Sequence, residues 1–164
     1  MPPIPNMDLN GTGYCAAFRF RMTARAVTRL YDAALQESGI RSTQFAILVA
    51  IAKKQPIPIH SLSEILFIDP TTLTRSLQLM RKEALVAISK RSMMRQRFVT
   101  LTSRGEQALS RALPAWRHVQ SRFVGTVGTK NWLELRDELE RLSTLAVGLE
   151  EQELPKASTA AMRR

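Results

Sequence analysis

Cysteine is almost missing from this chain: among 164 residues Cys15 is the one thiol. A single cysteine excludes an internal disulfide framework and fits a reducing cytoplasm. Histidine is nearly as scarce, with His60 and His118 far apart. One cysteine and two distant histidines have no zinc-ligand spacing, so neither a metal site nor a cofactor is expected. No apolar run approaches the roughly 20 residues of a membrane span. The start, M-P-P-I-P-N-M-D, lacks the basic opening and apolar stretch of a signal peptide. Nucleophile–base pairs in a readable motif and paired carboxylates are also wanting, and Gly11-Thr12-Gly13 is too short to cradle a phosphate. An enzyme is therefore not expected.

Acidic residues are the next shortage, and it is local. Residues 1–122 hold 18 Lys and Arg against 7 Asp and Glu, whereas residues 123–164 hold 6 against 7. The net charge of +10 thus sits on the first three quarters of the chain. Such an excess points to a polyanionic partner, nucleic acid above all. A membrane surface is the weaker reading, because no strongly basic amphipathic helix with aromatic anchors stands out.

Within the basic part, Asp69 to Lys82 reads D-P-T-T-L-T-R-S-L-Q-L-M-R-K. Asp69 is a good N-cap, and Pro70 suits the first helical position, where its missing N–H costs nothing. Leu73, Leu77 and Met80 recur at helical spacing and line one side. Thr71, Arg75, Gln78 and Lys82 line the other, with hydroxyl, guanidinium, amide and ammonium groups and no carboxylate. Those groups suit base edges and phosphates in a major groove. Thr72 and Thr74 of the same helix join them as candidate DNA contacts.

The flanks supply a context. A long helix is expected from about Tyr14 to Ser38, with Phe20, Ala24, Val27, Tyr31 and Ala34 as one buried seam and Gly39 as its end. Ser42 or Thr43 is expected to cap the next helix, which runs to about Lys54. Pro56-Ile57-Pro58-Ile59 reads as an extended edge segment. A short helix follows, capped by Ser61 or Ser63, with Leu62, Ile65 and Leu66 inward. Joined to the Asp69 helix it makes a helix-turn-helix. Alternating residues from Val86 and from Phe98 then mark two strands. Between them, residues 89–97 carry Lys90, Arg91, Arg95 and Arg97 with no acid, a hairpin whose basic tip suits a minor groove. A helix with Ser103 and Glu106 as capping box runs to about Val124, bent near Pro114, and Gly125 to Thr129 is a break. The last helix, about Lys130 to Glu150, spaces Trp132, Leu135, Leu139, Leu142, Ala146 and Leu149 as a heptad-like seam that needs a partner. The fold expected is mainly α with a small β-hairpin wing.

With R-L-Y-D-A-A-L-Q-E-S-G-I-R-S-T-Q-F at 29–45, D-P-T-T-L-T-R-S-L at 69–77 and V-T-L-T-S-R-G at 99–105 in this order, the chain resembles the MarR family of winged helix-turn-helix transcription regulators. The resemblance covers about Tyr14 to Leu149. It implies a flexible arm at 1–13, a dimerisation helix at 14–40, a winged helix-turn-helix DNA-binding domain at 41–101, dimerisation helices at 102–150 and a tail at 151–164. It also implies a homodimer on a pseudo-palindromic operator, a repressor more often than an activator. Two positions depart from the family. Met93-Met94-Arg95 stands where Asp-Arg-Arg is common, so Arg91 or Arg97 shares the groove contact expected of Arg95. Ala84 stands where glycine usually follows the recognition helix, so the helix end is expected to differ slightly.

Family members commonly respond to a small aromatic or phenolic ligand, or to an oxidant. Met22, Tyr31, Phe45, Trp116 and His118 are the candidate effector contacts, against the alternative of plain core or surface residues. Cys15 is the redox candidate, although it falls about two residues upstream of the sensor position when aligned from Tyr31, and Ser42 replaces a second tyrosine. A sequence-tolerant architectural DNA binder is the remaining alternative.

Overall fold

The computed structural model describes residues 10–90 and 96–153. The expected arm and tail lie largely outside these residues. The chain divides into two compact units, Met1–Val119 and Gln120–Arg164.

The first unit opens with a short 3-10 turn, Thr12–Tyr14, and then α1, Ala16–Leu35. A second 3-10 turn, Gln36–Ser38, closes α1 before Gly39, whose φ of 76° is the left-handed conformation that stops a helix. The seam expected on α1 is not buried within the chain. Phe20 is 46% exposed, Ala24 is exposed and Val27, Tyr31 and Ala34 are half-buried, while Leu35 alone is fully enclosed. Among the described residues, the first half of this helix contributes no buried side chain.

Helix α2 spans Ser42–Lys54. Neither Ser42 nor Thr43 caps it with its own oxygen. The carboxylate of Asp32 on α1 does so instead, accepting from the Ser42 backbone N–H at 2.7 Å and from Ser42 Oγ at 2.6 Å. Hydrogen bonds from the Ser42 hydroxyl and backbone hold the Asp32 carboxyl below its ordinary pKa, outweighing the opposing effect of burial. A carboxyl depressed on folding stabilises the fold above its unfolded pKa, and that contribution disappears as pH falls through the folded value. Asp32→Ala is thus expected to lower stability at pH 7 by about 1 kcal/mol. Urea unfolding should show that difference shrinking well below pH 4 or so, where the wild-type carboxylate is also protonated. An equal deficit at both pH values would place the effect elsewhere.

Strand β1, Ile57–Pro58, is the proline-bearing edge foreseen, pairing antiparallel with β3 as Ile57↔Val99 and Pro58↔Phe98. Helix α3 begins at once, Ile59–Leu66. Ser61 and Ser63 therefore lie inside it and cap nothing. Ser63 is buried, donating to the His60 carbonyl at 2.6 Å. Starting this early, α3 turns Ile59, Leu62, Ser63 and Leu66 inward and leaves Ile65 exposed, contrary to expectation. Phe67, left-handed at φ 50°, ends the helix. Its successor Ile68 donates back to Ser63 O at 3.0 Å, which closes the turn.

Helix α4, Pro70–Lys82, matches the sequence reading in detail. Asp69 Oδ1 accepts from Thr72 N–H at 2.9 Å. Leu73, Leu77 and Met80 are fully buried. Its end is built on Ala84, which keeps the left-handed conformation at φ 57°, with Leu85 N–H reaching Met80 O at 2.8 Å. The altered ending expected here is thus not found; alanine bears the steric cost. Ala84→Gly is expected to stabilise the fold by about 0.5–1 kcal/mol, the relief of that strain less the entropy of an unfolded glycine. A lower unfolding midpoint in thermal denaturation would contradict this.

Strands β2, Val86–Lys90, and β3, Arg97–Leu101, form the hairpin, from Val86↔Leu101 to Lys90↔Arg97, in a sheet ordered β1-β3-β2. Phe98 and Val99 are both buried, because β3 is the central strand and is covered on both faces. Gln55 Oε1 accepts from Leu101 N–H at 2.7 Å, where the short β1 no longer reaches.

Helix α5 spans Ser103–Val127. Its N-cap is Thr102, not Ser103: Thr102 Oγ1 accepts from Gly105 N–H at 3.0 Å and donates to the Ala84 carbonyl. Glu106 then falls one residue too late for a capping box. Gly105, Ala108, Leu109, Ala112 and Val119 are its buried residues. Of these, Ala108, Leu109 and Ala112 join residues of α1–α4 and the sheet in one apolar core.

The second unit contains the end of α5 and helix α6, Thr129–Glu153. The expected break at 125–129 narrows to Gly128, left-handed at φ 88°, with Gly125 inside the helix. A left-handed residue there ends α5 before α6 begins. Phe123 and Trp132 meet edge to face at 5.6 Å, an arrangement favoured by the ring quadrupoles. Of the α6 seam, Trp132, Leu139 and Leu142 are half-buried, while Leu135, Ala146 and Leu149 are exposed.

Candidate nucleic-acid interface and effector cavity

Three observations set the rotation of α4. Asp69 and Pro70 define where it begins, Leu73, Leu77 and Met80 are locked in the core, and Leu85 fastens its end. The opposite face is then fixed without further choice. Thr71, Arg75, Gln78 and Lys82 are all exposed, as is Thr72. Thr74 is half-buried and its hydroxyl donates to Pro70 O at 2.7 Å, so this candidate's donor is already used within the helix. On the hairpin, Arg97 is exposed at the start of β3, and Lys90 is paired opposite it in the ladder. Arg91 and Arg95 lie outside the described residues. The face so assembled carries donors and cations with no acid, which is what a negatively charged groove requires.

A second feature is an open cavity of about 420 Å³ in the first unit, lined by residues of α1, α2, α3 and α5. Its size falls in the range of small-molecule sites, roughly 300–1,000 Å³. Three of the five effector candidates meet there: Tyr31, Phe45 and Trp116 line it. The Phe45 and Trp116 rings stack with centroids 5.6 Å apart and planes at 22°. Burial raises the pKa of the Tyr31 phenol, which stays protonated at neutral pH. Met22 and His118 do not line the cavity; both are exposed. Val49, Ala50, Lys53, Ile65 and Leu66 do line it and were not singled out from the sequence. A signal was present for α2: Ser42, Phe45, Ala46, Val49, Ala50 and Lys53 fall at i, i+3, i+4, i+7, i+8 and i+11, one stripe of a helix.

Cys15 is exposed at the residue preceding α1. Tyr31 lies 16 residues further along the chain, about 24 Å at the helical rise. The two are not brought together within the chain. His60 sits in the first turn of α3, exposed, with Nε2 3.3 Å from Ser61 Oγ. Among the described residues no group of three His, Cys, Asp or Glu is placed to hold a metal, and no helix is long and apolar enough to cross a membrane.

A helix-turn-helix followed by an antiparallel hairpin, with an acid-free helix face turned outward, defines a winged helix-turn-helix DNA-binding protein. No family model matches the chain, but individual relatives do. The transcriptional regulator MosR of M. tuberculosis, solved in complex with DNA, is 33% identical, with a TM-score of 0.76 over 82% of this chain and 98% of MosR. An uncharacterised HTH-type transcriptional regulator of Bacillus anthracis is 28% identical over 74% of this chain and 80% of its own length. A mutant of MarR from E. coli, solved with operator DNA, shares the fold at a TM-score of 0.72 and 20% identity, over 83% of this chain and 99% of that one. The chain belongs to the MarR family of DNA-binding transcriptional regulators.

Proposed function

We propose that this regulator is a homodimeric, sequence-specific repressor that binds a pseudo-palindromic operator and is released by a small aromatic ligand. The observation that carries the sequence-specific part is the exposed row Thr71, Arg75, Gln78 and Lys82, held in register by the buried row Leu73, Leu77 and Met80. A hydroxyl, a guanidinium, an amide and an ammonium discriminate bases better than a face of lysines would. Residues 41–101 would read DNA, with Lys90, Arg91, Arg95 and Arg97 of the wing adding groove and phosphate contacts.

Exposed apolar residues support the dimer. Phe20 of α1 is 46% exposed, and Leu135 and Leu149 of α6 are 44% and 50% exposed, along seams with helical spacing. Rows of this kind in water favour association with a second copy. Release by a ligand fits the cavity lined by Tyr31, Phe45 and Trp116, provided the ligand prefers a shape that no longer matches the operator.

The test is selection of random duplexes on the purified protein at two salt concentrations, with sedimentation to give its mass. Enrichment of an inverted repeat with half-sites about one helical turn apart, bound by a dimer, is the result expected. Salt-sensitive binding with no enriched motif would instead make the protein a sequence-tolerant architectural binder.

A further inference from the structure

The turn between α3 and α4 holds a bulky side chain in a backbone conformation that suits glycine. Phe67 has φ 50° and ψ 40°. An L side chain there crowds its own backbone, and strain of this kind recurs at positions that contact a ligand. Among the described residues, Ala84 is the other non-glycine residue with positive φ, and it projects a single methyl. The fold draws little from the Phe67 ring. Main-chain bonds close the turn, from Phe67 N–H to Glu64 O at 3.2 Å and from Ile68 N–H to Ser63 O. Leu66 and Ile68 on either side are partly buried and packed against the core, whereas the Phe67 ring is left 57% exposed.

What covers the ring follows from its position. Phe67 lies two residues before Asp69, the N-cap of α4, and four before Thr71, the first residue of the outward row. A recognition helix meets base edges with its N-terminal residues, so the turn leading into it approaches the same groove. A phenyl ring has no hydrogen bond to offer a phosphate. The apolar group displayed in a major groove is the thymine C5-methyl, and phenylalanine is among the side chains that contact it. We propose, resting on the reading of DNA by α4 above, that Phe67 is a specificity-determining residue whose ring packs on the methyl of one thymine in each half-site.

The experiment replaces each thymine of the selected operator in turn by deoxyuridine, symmetrically in both half-sites, which removes only the methyl group. Binding of the full chain is followed by fluorescence anisotropy for the wild type, Phe67→Gly, Phe67→Asn and Arg75→Ala. Glycine and asparagine both accept the left-handed conformation, so each removes the ring and keeps the turn. Neither variant should lower the urea midpoint of unfolding. For the wild type, one symmetric pair of substitutions is expected to weaken binding about tenfold or more, roughly fourfold for each methyl. Both Phe67 variants should bind the unmodified operator about tenfold more weakly, and the same pair should then cost them no more than about twofold. Arg75→Ala should keep the methyl effect. No wild-type loss at any thymine, or a loss undiminished in both Phe67 variants, overturns the proposal. Weaker binding by those variants without a methyl effect also overturns it and makes the ring a sugar contact. A lowered urea midpoint in both variants overturns it by making the ring part of the fold. In these cases a loss of binding in Arg75→Ala leaves the α4 reading standing. If Arg75→Ala binds as the wild type does, or selection yields no motif, the α4 reading falls and this proposal with it.

Discussion

Gly105→Ala is expected to destabilise the fold by about 3 kcal/mol or more, although alanine is the better helix former. A methyl group built at Gly105 would stand 2.0 Å from the Leu85 carbonyl oxygen and 3.0 Å from its carbon. Both are backbone atoms, and neither is free to retreat. Leu85 N–H is bound to Met80 O, its carbonyl accepts from Thr102 N–H at 3.2 Å, and its side chain is buried. On the other side, Gly105 N–H is held by Thr102 Oγ1, which is itself tied to Ala84. Relief therefore requires parting the start of α5 from the end of α4 and breaking the α5 cap. Helix propensity opposes this by about 1 kcal/mol, too little to reverse the sign. Urea unfolding is the measurement, and a midpoint equal to or above the wild type would show that the junction yields more easily than its hydrogen bonds imply. Because Leu85 joins α4, the helix proposed to read DNA, to β2, DNA binding should fall as well in any population that stays folded.

Arg75→Ala should weaken binding to the selected operator by about 1–3 kcal/mol, roughly five- to more than a hundredfold, and relax base preference at one position in each half-site. Arg75 is exposed in the middle of the acid-free face, and the buried Leu73 and Leu77 on either side allow the helix no rotation. Lys82, at the last residue of α4, is better placed for a phosphate. Lys82→Ala should therefore lower affinity for cognate and shuffled duplexes alike and reduce the salt dependence. Fluorescence anisotropy on both duplexes at two salt concentrations separates these outcomes. Equal losses on cognate and shuffled DNA for Arg75→Ala would make Arg75 a phosphate contact and remove it from the reading face.

Helix α4 was readable because everything that shapes it is local. Asp69 caps a backbone group three residues away, and the buried and exposed rows follow from helical spacing. The wing was readable for a similar reason, as strands of alternating residues around a cationic loop. Where a cap comes from a distance, local reading named the wrong atom. Ser42 has a good capping side chain, yet its helix is capped by Asp32, ten residues earlier and on another helix. Ser103 and Glu106 have the spacing of a capping box, but Thr102 takes the position, since it also reaches Ala84 across the junction. Ile65 was expected inward on a helix starting near Ser61; a start at Ile59 rotates the inward face.

Taken alone, the amino-acid sequence determined the class of this protein. Charge imbalance, caps and periodicity are properties of short stretches, and a helix-turn-helix with a basic hairpin is assembled from short stretches. Which residues meet across the chain was decided only in three dimensions. Tyr31, Phe45, Lys53, Ile65 and Trp116 are separated by up to 85 positions and yet line one cavity. Gly105 looks unfavourable in a helix until the Leu85 carbonyl is placed beside it. The physical reason is common to both. Burial and close approach depend on the relative placement of elements distant in sequence, and no local pattern carries that information.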